Sequence, residues 1–135
     1  LMGLYNSLVV CRFTFYPAGI KLNTLMEAFK SATGWDASPE DLLKVGERSF
    51  NLTRSFNARE GFTRRDDTLP TRLMEQLQEG PMRGEGFTAE TLSSMLDLYY
   101  EYRGWDKVRG WPTREKLSEL GLDTVIKDLE KRGLP

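Results

Sequence analysis

The segment that most constrains this chain is the one beginning at Ser38-Pro39-Glu40-Asp41. A serine that can cap, a proline suited to the first helical position and two carboxylates facing the positive end of a helix dipole together mark a helix start. From there Leu42, Val45, Ser49, Leu52 and Phe56 fall on one face, and Leu43, Gly46, Phe50 and Thr53 on an adjacent one. Gly61 is the next residue suited to ending the helix. A helix of this length with so wide an apolar arc is predicted to lie at the centre of a core, and the rest of the chain has to pack around it.

Helical spacing recurs on both sides. Leu22, Leu25, Met26, Phe29 and Ala32 form an apolar stripe closed by Gly34. Pro70 opens a short helix predicted to run to about Leu77, and Gly80, Pro81, Gly84 and Gly86 then break regular structure. Thr88 caps a helix with Leu92, Met95, Leu96, Tyr99 and Tyr100 inward and Gly104 at its end. Thr113 and Gly121 bracket a short helix, and residues 123–132 form an amphipathic one with Val125, Ile126 and Leu129 inward. Residues 1–11 read as a helical turn or a buried connector, and 12–21, with Pro17 and Gly19, as a loop. No segment alternates convincingly with the period of a strand. The expectation is one all-α domain over residues 1–135, of five to seven mostly short helices packed irregularly.

The chemistry is narrowed by what is missing. There is no histidine among the 135 residues, which excludes Ser-His-Asp and Cys-His catalysis and histidine zinc sites. There is one cysteine, Cys11, so no internal disulfide forms and the chain does not read as a secreted, cross-linked scaffold. A net charge of −1 gives no reason to expect nucleic acid. No apolar run spans a bilayer and no secretory start is present, so no membrane partner and a cytoplasmic location are expected.

Cys11 reads in two ways. It is a small buried hydrophobe, or it is one thiolate of a metal cluster whose other ligands come from elsewhere. Asp66 and Asp67, beside Arg64 and Arg65, read as a solvated turn with local ion pairs. The arginines at 48, 54, 59, 64, 65 and 72 read as a salt-bridged helix face. Asn51-Leu52-Thr53 fits the glycosylation pattern but falls inside the central helix. Tyr99, Tyr100, Tyr102 and Trp105 cluster around a helix end and read as packing, with stacking on a ligand as the alternative.

Longer motifs go further. The run from Gly46 to Phe62, GERSFNLTRSFNAREGF, resembles the central helix signature in the carboxy-terminal domain of the tungsten-containing aldehyde ferredoxin oxidoreductase family. The resemblance extends to Thr33-Gly34-Trp35-Asp36 upstream and to Asp67-Thr68-Leu69-Pro70 with Arg72. It continues through Tyr99-Tyr100-Glu101-Tyr102-Arg103-Gly104-Trp105-Asp106, Pro112-Thr113 and the stretch from Leu117 to Leu122.

The resemblance implies a helical domain of a larger enzyme that oxidises aldehydes to carboxylic acids. Such enzymes hold tungsten or molybdenum on two pterins, with a 4Fe-4S cluster nearby that passes electrons to ferredoxin. It implies that Cys11 is the fourth cluster ligand, the other three lying in a Cys-x2-Cys-x3-Cys run upstream, and that Asn6 and Val10 occupy pterin-contacting positions. The family motif Asp-x-x-Gly-Leu-Cys reads here Asn6-Ser7-Leu8-Val9-Val10-Cys11, so a charge is lost at Asn6 and a valine replaces a glycine at Val9. No catalytic residue is expected in this chain. Its partners would be the upstream domains of its own parent chain, with ferredoxin for the whole enzyme. Alone, the domain is expected to bind no cofactor, to be inactive and to expose an apolar patch around residues 1–15. The alternative reading is a non-catalytic helical interaction module derived from that family.

Overall fold

The structure, a computed structural model, describes residues 1–11, 13 and 19–134. Seven α-helices lie among them: α1 Met2–Ser7, α2 Leu22–Thr33, α3 Pro39–Arg59, α4 Thr71–Met74, α5 Ala89–Arg103, α6 Arg114–Glu119 and α7 Asp123–Lys131. No strand occurs among the described residues; Trp105 and Pro112 make one isolated antiparallel bridge. The expected loop over 12–21 falls mostly outside the described residues, Pro17 included.

The predicted ends hold well for α2, α3 and α5. Ser38 accepts a hydrogen bond from the Asp41 amide, and the Asp41 carboxylate accepts one from the Ser38 amide, so α3 starts in a reciprocal capping box. A cap of this kind contributes about 1 kcal/mol. The hydrogen bonds from Ser38 hold the Asp41 carboxyl below its ordinary value. Gly34 and Gly104 both take the left-handed conformation just past α2 and α5. The helix after Pro70 stops at Met74, well short of Leu77. Leu77 exchanges backbone hydrogen bonds with Glu85 and Gly84 instead, which folds the glycine-rich segment back on itself.

The core has two apolar parts. Leu4, Ala37 and Leu42 form one, with Leu22, Met26 and Phe29 against it. Leu117, Leu120, Leu122, Ile126 and Leu129 form the other between α6 and α7. Helix α3 passes between them and differs from the expectation of a broad apolar core face. Leu42 and Gly46 are buried at its start, against α1, but the residues buried further along are Asn51, Arg54, Ser55 and Ala58. Asn51 follows Leu42 by about two and a half turns, so the second half of the helix buries its opposite side. Leu52 and Phe56, on the predicted apolar stripe, are 49% and 53% exposed because α1 covers only the stripe's first half.

The polar residues of α3 join the parts of the molecule. The Asn51 amide donates to the Glu47 carbonyl and its oxygen accepts from the Trp105 indole at 2.8 Å. Asn51 is fully buried, so the glycosylation pattern is inaccessible. Arg48 donates to the carbonyls of Leu120 and Gly121, at the negative end of α6. Glu47 pairs with Lys116 at 3.3 Å. Burial alone lowers the Lys116 pKa, but hydrogen bonds to Glu119 and Glu47 outweigh it and leave the ammonium above its ordinary value. Of the inward set expected on α5, only Tyr100 is buried; Met95 and Tyr99 are exposed and Leu92 and Leu96 half-buried. Tyr102 points outward.

Candidate functional site

Two places concentrate chemistry: the end of α1, which carries Asn6, Val10 and Cys11, and a cleft between α3 and α5.

At the first, the position of α1 is set by two glycines. A Cβ on Gly3 would stand 2.4 Å from the Gly46 carbonyl oxygen, and one on Gly46 would stand 2.7 Å from the Leu4 nitrogen. The backbones of α1 and α3 therefore touch, and Leu4, completely buried, fills the space beside the crossing. This gives Gly46, a member of the long signature, a steric reason that spacing alone does not reveal.

Helix α1 then ends in a Schellman turn. The Val10 amide donates to the Tyr5 carbonyl at 2.9 Å and the Val9 amide to the Asn6 carbonyl at 3.2 Å. Such a turn requires a left-handed residue at its corner, and Val9 supplies it with φ 55°, alone among the described non-glycine residues. A β-branched side chain there is strained by roughly 1–2 kcal/mol relative to glycine. The backbone thus keeps the shape of the glycine motif although the glycine is gone. Asn6 is exposed, Val10 half-buried and Cys11 exposed, so the buried-hydrophobe reading of Cys11 does not hold. Leu1, Val9 and Phe13 are also exposed, at 62%, 93% and 63%, within the stretch expected to be apolar and uncovered; Phe15 lies outside the described residues.

The second place centres on Arg54. Its Nε donates to the Gly110 carbonyl at 2.7 Å and its two terminal nitrogens grip both oxygens of Asp67. The Tyr100 hydroxyl donates to the same carboxylate. Burial first, and then the hydrogen bond to Asp67, push the Tyr100 phenol well above its ordinary value, so it stays neutral. Arg54 also lies over the Trp105 ring, 5.0 Å from its centroid. A side chain at Gly110, itself at φ 72°, would collide with Arg54 and Tyr100.

This corrects two expectations. Asp67 is no solvated turn residue but the anchor of a network spanning α3, α5 and the 105–112 loop, whereas Asp66 does cap locally, on Thr63. Arg54 is 9% exposed and so does not belong to a surface stripe. Arg64 likewise leaves that stripe to hold α5, through Asp97 and Ser93. The packing expected around the helix end is present at Tyr100 and Trp105. Above the network opens a cleft of about 230 Å3, bordered by Phe50, Asn57, Leu96, Tyr99 and Trp105. Among the described residues, no three of Cys, Asp and Glu converge as a metal site, and no helix is long and apolar enough to cross a membrane.

Known proteins resemble this arrangement closely. Residues 1–122 match the family described as aldehyde ferredoxin oxidoreductase, domains 2 and 3. The chain is 40% identical over 128 residues to a tungsten-containing aldehyde ferredoxin oxidoreductase of Pyrococcus abyssi, covering 93% of this chain and 20% of that protein. It is 40% identical over 124 residues to the same enzyme of Pyrococcus furiosus, covering 90% and 20%. To an aliphatic sulfonate oxidoreductase, WOR-like subunit, of Pyrococcus furiosus it is 30% identical over 135 residues, covering 96% and 21%. The chain thus spans about a fifth of the length of these relatives. Among solved structures, the BamBC active site complex of benzoyl coenzyme A reductase, in complex with 1,5-dienoyl-CoA, superposes with a TM-score of 0.68 at 29% identity, over 84% of this chain and 16% of that one. By its sequence and its all-helical fold, this chain belongs to the aldehyde ferredoxin oxidoreductase family, in the part described as domains 2 and 3.

Proposed function

We propose that this chain serves as the carboxy-terminal part of an enzyme that oxidises an aldehyde to a carboxylic acid and passes the electrons through a 4Fe-4S cluster to ferredoxin. Cys11 supplies the fourth cluster thiolate, and Asn6 and Val10 face a pterin of the tungsten or molybdenum centre. The observation that carries the reading is the exposed Cys11 directly after the hydrogen-bonded turn that ends α1, a helix packed on α3 by glycine-to-glycine contact. A thiolate that must bridge to a group held by other domains needs both exposure and a fixed approach. Asn6, also exposed, offers a neutral donor and acceptor where the family motif has a carboxylate.

When bound, the metal-pterin centre supplies the oxidation chemistry and the cluster accepts electrons singly. This chain's own part is to hold one ligand in place and to shield it. The greater identity to the aldehyde enzymes than to the sulfonate one, 40% against 30%, favours an aldehyde substrate. One cysteine in 135 residues means that the chain alone provides one thiolate of four and retains no cluster.

The test is Cys11→Ala in the intact protein purified without oxygen. The expected result is loss of iron and of the low-temperature cluster EPR signal. Full retention of four irons with an unchanged signal would exclude Cys11 as ligand and favour a non-catalytic interaction module.

A further inference from the structure

The cleft between α3 and α5 has features that packing alone does not require. Its floor is the Arg54–Asp67–Tyr100 network, in which the guanidinium and carboxylate neutralise each other and both carboxylate oxygens are occupied. Its walls are aromatic. Phe50 and Trp105 lie nearly parallel, at 8°, and Tyr99 meets Trp105 edge-on at 87°. Trp105 is pinned by its hydrogen bond to the buried Asn51, so the wall is preformed. At the border stands Asn57, half-buried, whose side-chain amide makes no hydrogen bond among the described residues.

We infer that this cleft is a binding site for a small, uncharged, planar ring compound bearing a carbonyl or amide group. The space, about 230 Å3, exceeds the roughly 150 Å3 apolar cavity that already accommodates benzene. Aromatic faces and edges favour a flat ring in offset or edge contact. Of the residues lining the cleft, the charged ones are Arg54 and Asp67, which pair with each other. Arg103, over the Phe50 and Tyr99 rings, is held by the Tyr99 hydroxyl and faces Glu47 at 4.0 Å. A charged ligand would therefore lose hydration with little compensation. Asn57 offers one donor and one acceptor to orient a carbonyl or amide. This site does not involve Cys11 and does not depend on the cluster reading.

The probes are benzamide, toluene and benzoate, followed by saturation-transfer NMR and calorimetry on the intact protein. Benzamide is expected to bind with a Kd of about 1 mM or tighter, as suits a ligand of this size. Asn57→Ala should weaken benzamide about three- to tenfold, the worth of one neutral hydrogen bond, while leaving toluene unchanged. Thr53→Trp, placed at an exposed position beside the cleft, should abolish binding of both without changing iron content or helicity. Benzoate should bind at least about tenfold more weakly than benzamide, reflecting the uncompensated charge. Absence of benzamide binding to folded protein, equal binding of benzoate, or undiminished binding in Thr53→Trp would overturn the inference.

Discussion

Replacing Gly46 by alanine separates two accounts of the α1–α3 crossing by the sign of its effect. In a helix that nothing approaches, glycine to alanine is stabilising by about 1 kcal/mol, because the backbone loses less freedom on folding. Here the new Cβ would lie 2.7 Å from the Leu4 nitrogen and 3.0 Å from the Leu4 Cβ, where ordinary contact begins at 3.4 Å. Helix α1 must therefore retreat by about 0.7 Å along that direction. Leu4, packed with Ala37 and Leu42, moves with it and opens the small core beneath. Overpacking of this kind costs about 1–3 kcal/mol. With the gain in helix propensity set against the larger part of that range, Gly46→Ala should destabilise by about 1–2 kcal/mol. Equilibrium urea unfolding reads this as a lower midpoint at unchanged slope. Gly3→Ala, facing the Gly46 carbonyl at 2.4 Å, should act in the same direction. A gain of about 1 kcal/mol in Gly46→Ala would show that the two backbones do not touch, and would remove the argument that α1 is held rigidly enough to present Cys11.

Further outcomes follow from the same geometry. Asp67→Asn leaves the Arg54 charge nearly buried without its partner; with a quarter of the Asp67 side chain exposed, the loss should be about 2–3 kcal/mol by urea unfolding, less than for a fully buried pair. Val9→Gly relieves the left-handed strain and should raise stability by about 1 kcal/mol; a loss would mean that the turn at the end of α1 is not left-handed. The Tyr100 pKa is raised by burial and by Asp67, and the Lys116 pKa by its two glutamates. Folding thus favours the protonated form of both, so their stabilisation is complete below about pH 10 and is lost as pH rises beyond it. Urea midpoints should fall between about pH 10 and 11, less steeply in Tyr100→Phe; equal slopes would place Tyr100 outside the network.

The boundaries of α2, α3 and α5 were legible because their causes are local. Ser38 and Asp41 reach each other within one turn, and Gly34 and Gly104 supply a left-handed backbone wherever the surrounding chain goes. The all-helical class, the family and the candidacy of Cys11 were likewise readable from residue order. The inward faces of α3 and α5 were not. Apolar periodicity says which side of a helix prefers burial, but Leu52 and Phe56, beside α7, and Met95 on α5 stay about half exposed, because burial depends on how closely other elements pack and not on the stripe itself. Arg54 and Asp67 look like surface charges in the sequence; thirteen residues apart, they become a nearly buried pair only when α3 and the following turn bring Tyr100 and Gly110 against them. The exposure of Cys11 was likewise decided by the tertiary structure, since burial depends on what the rest of the chain places around a residue and not on its neighbours in sequence.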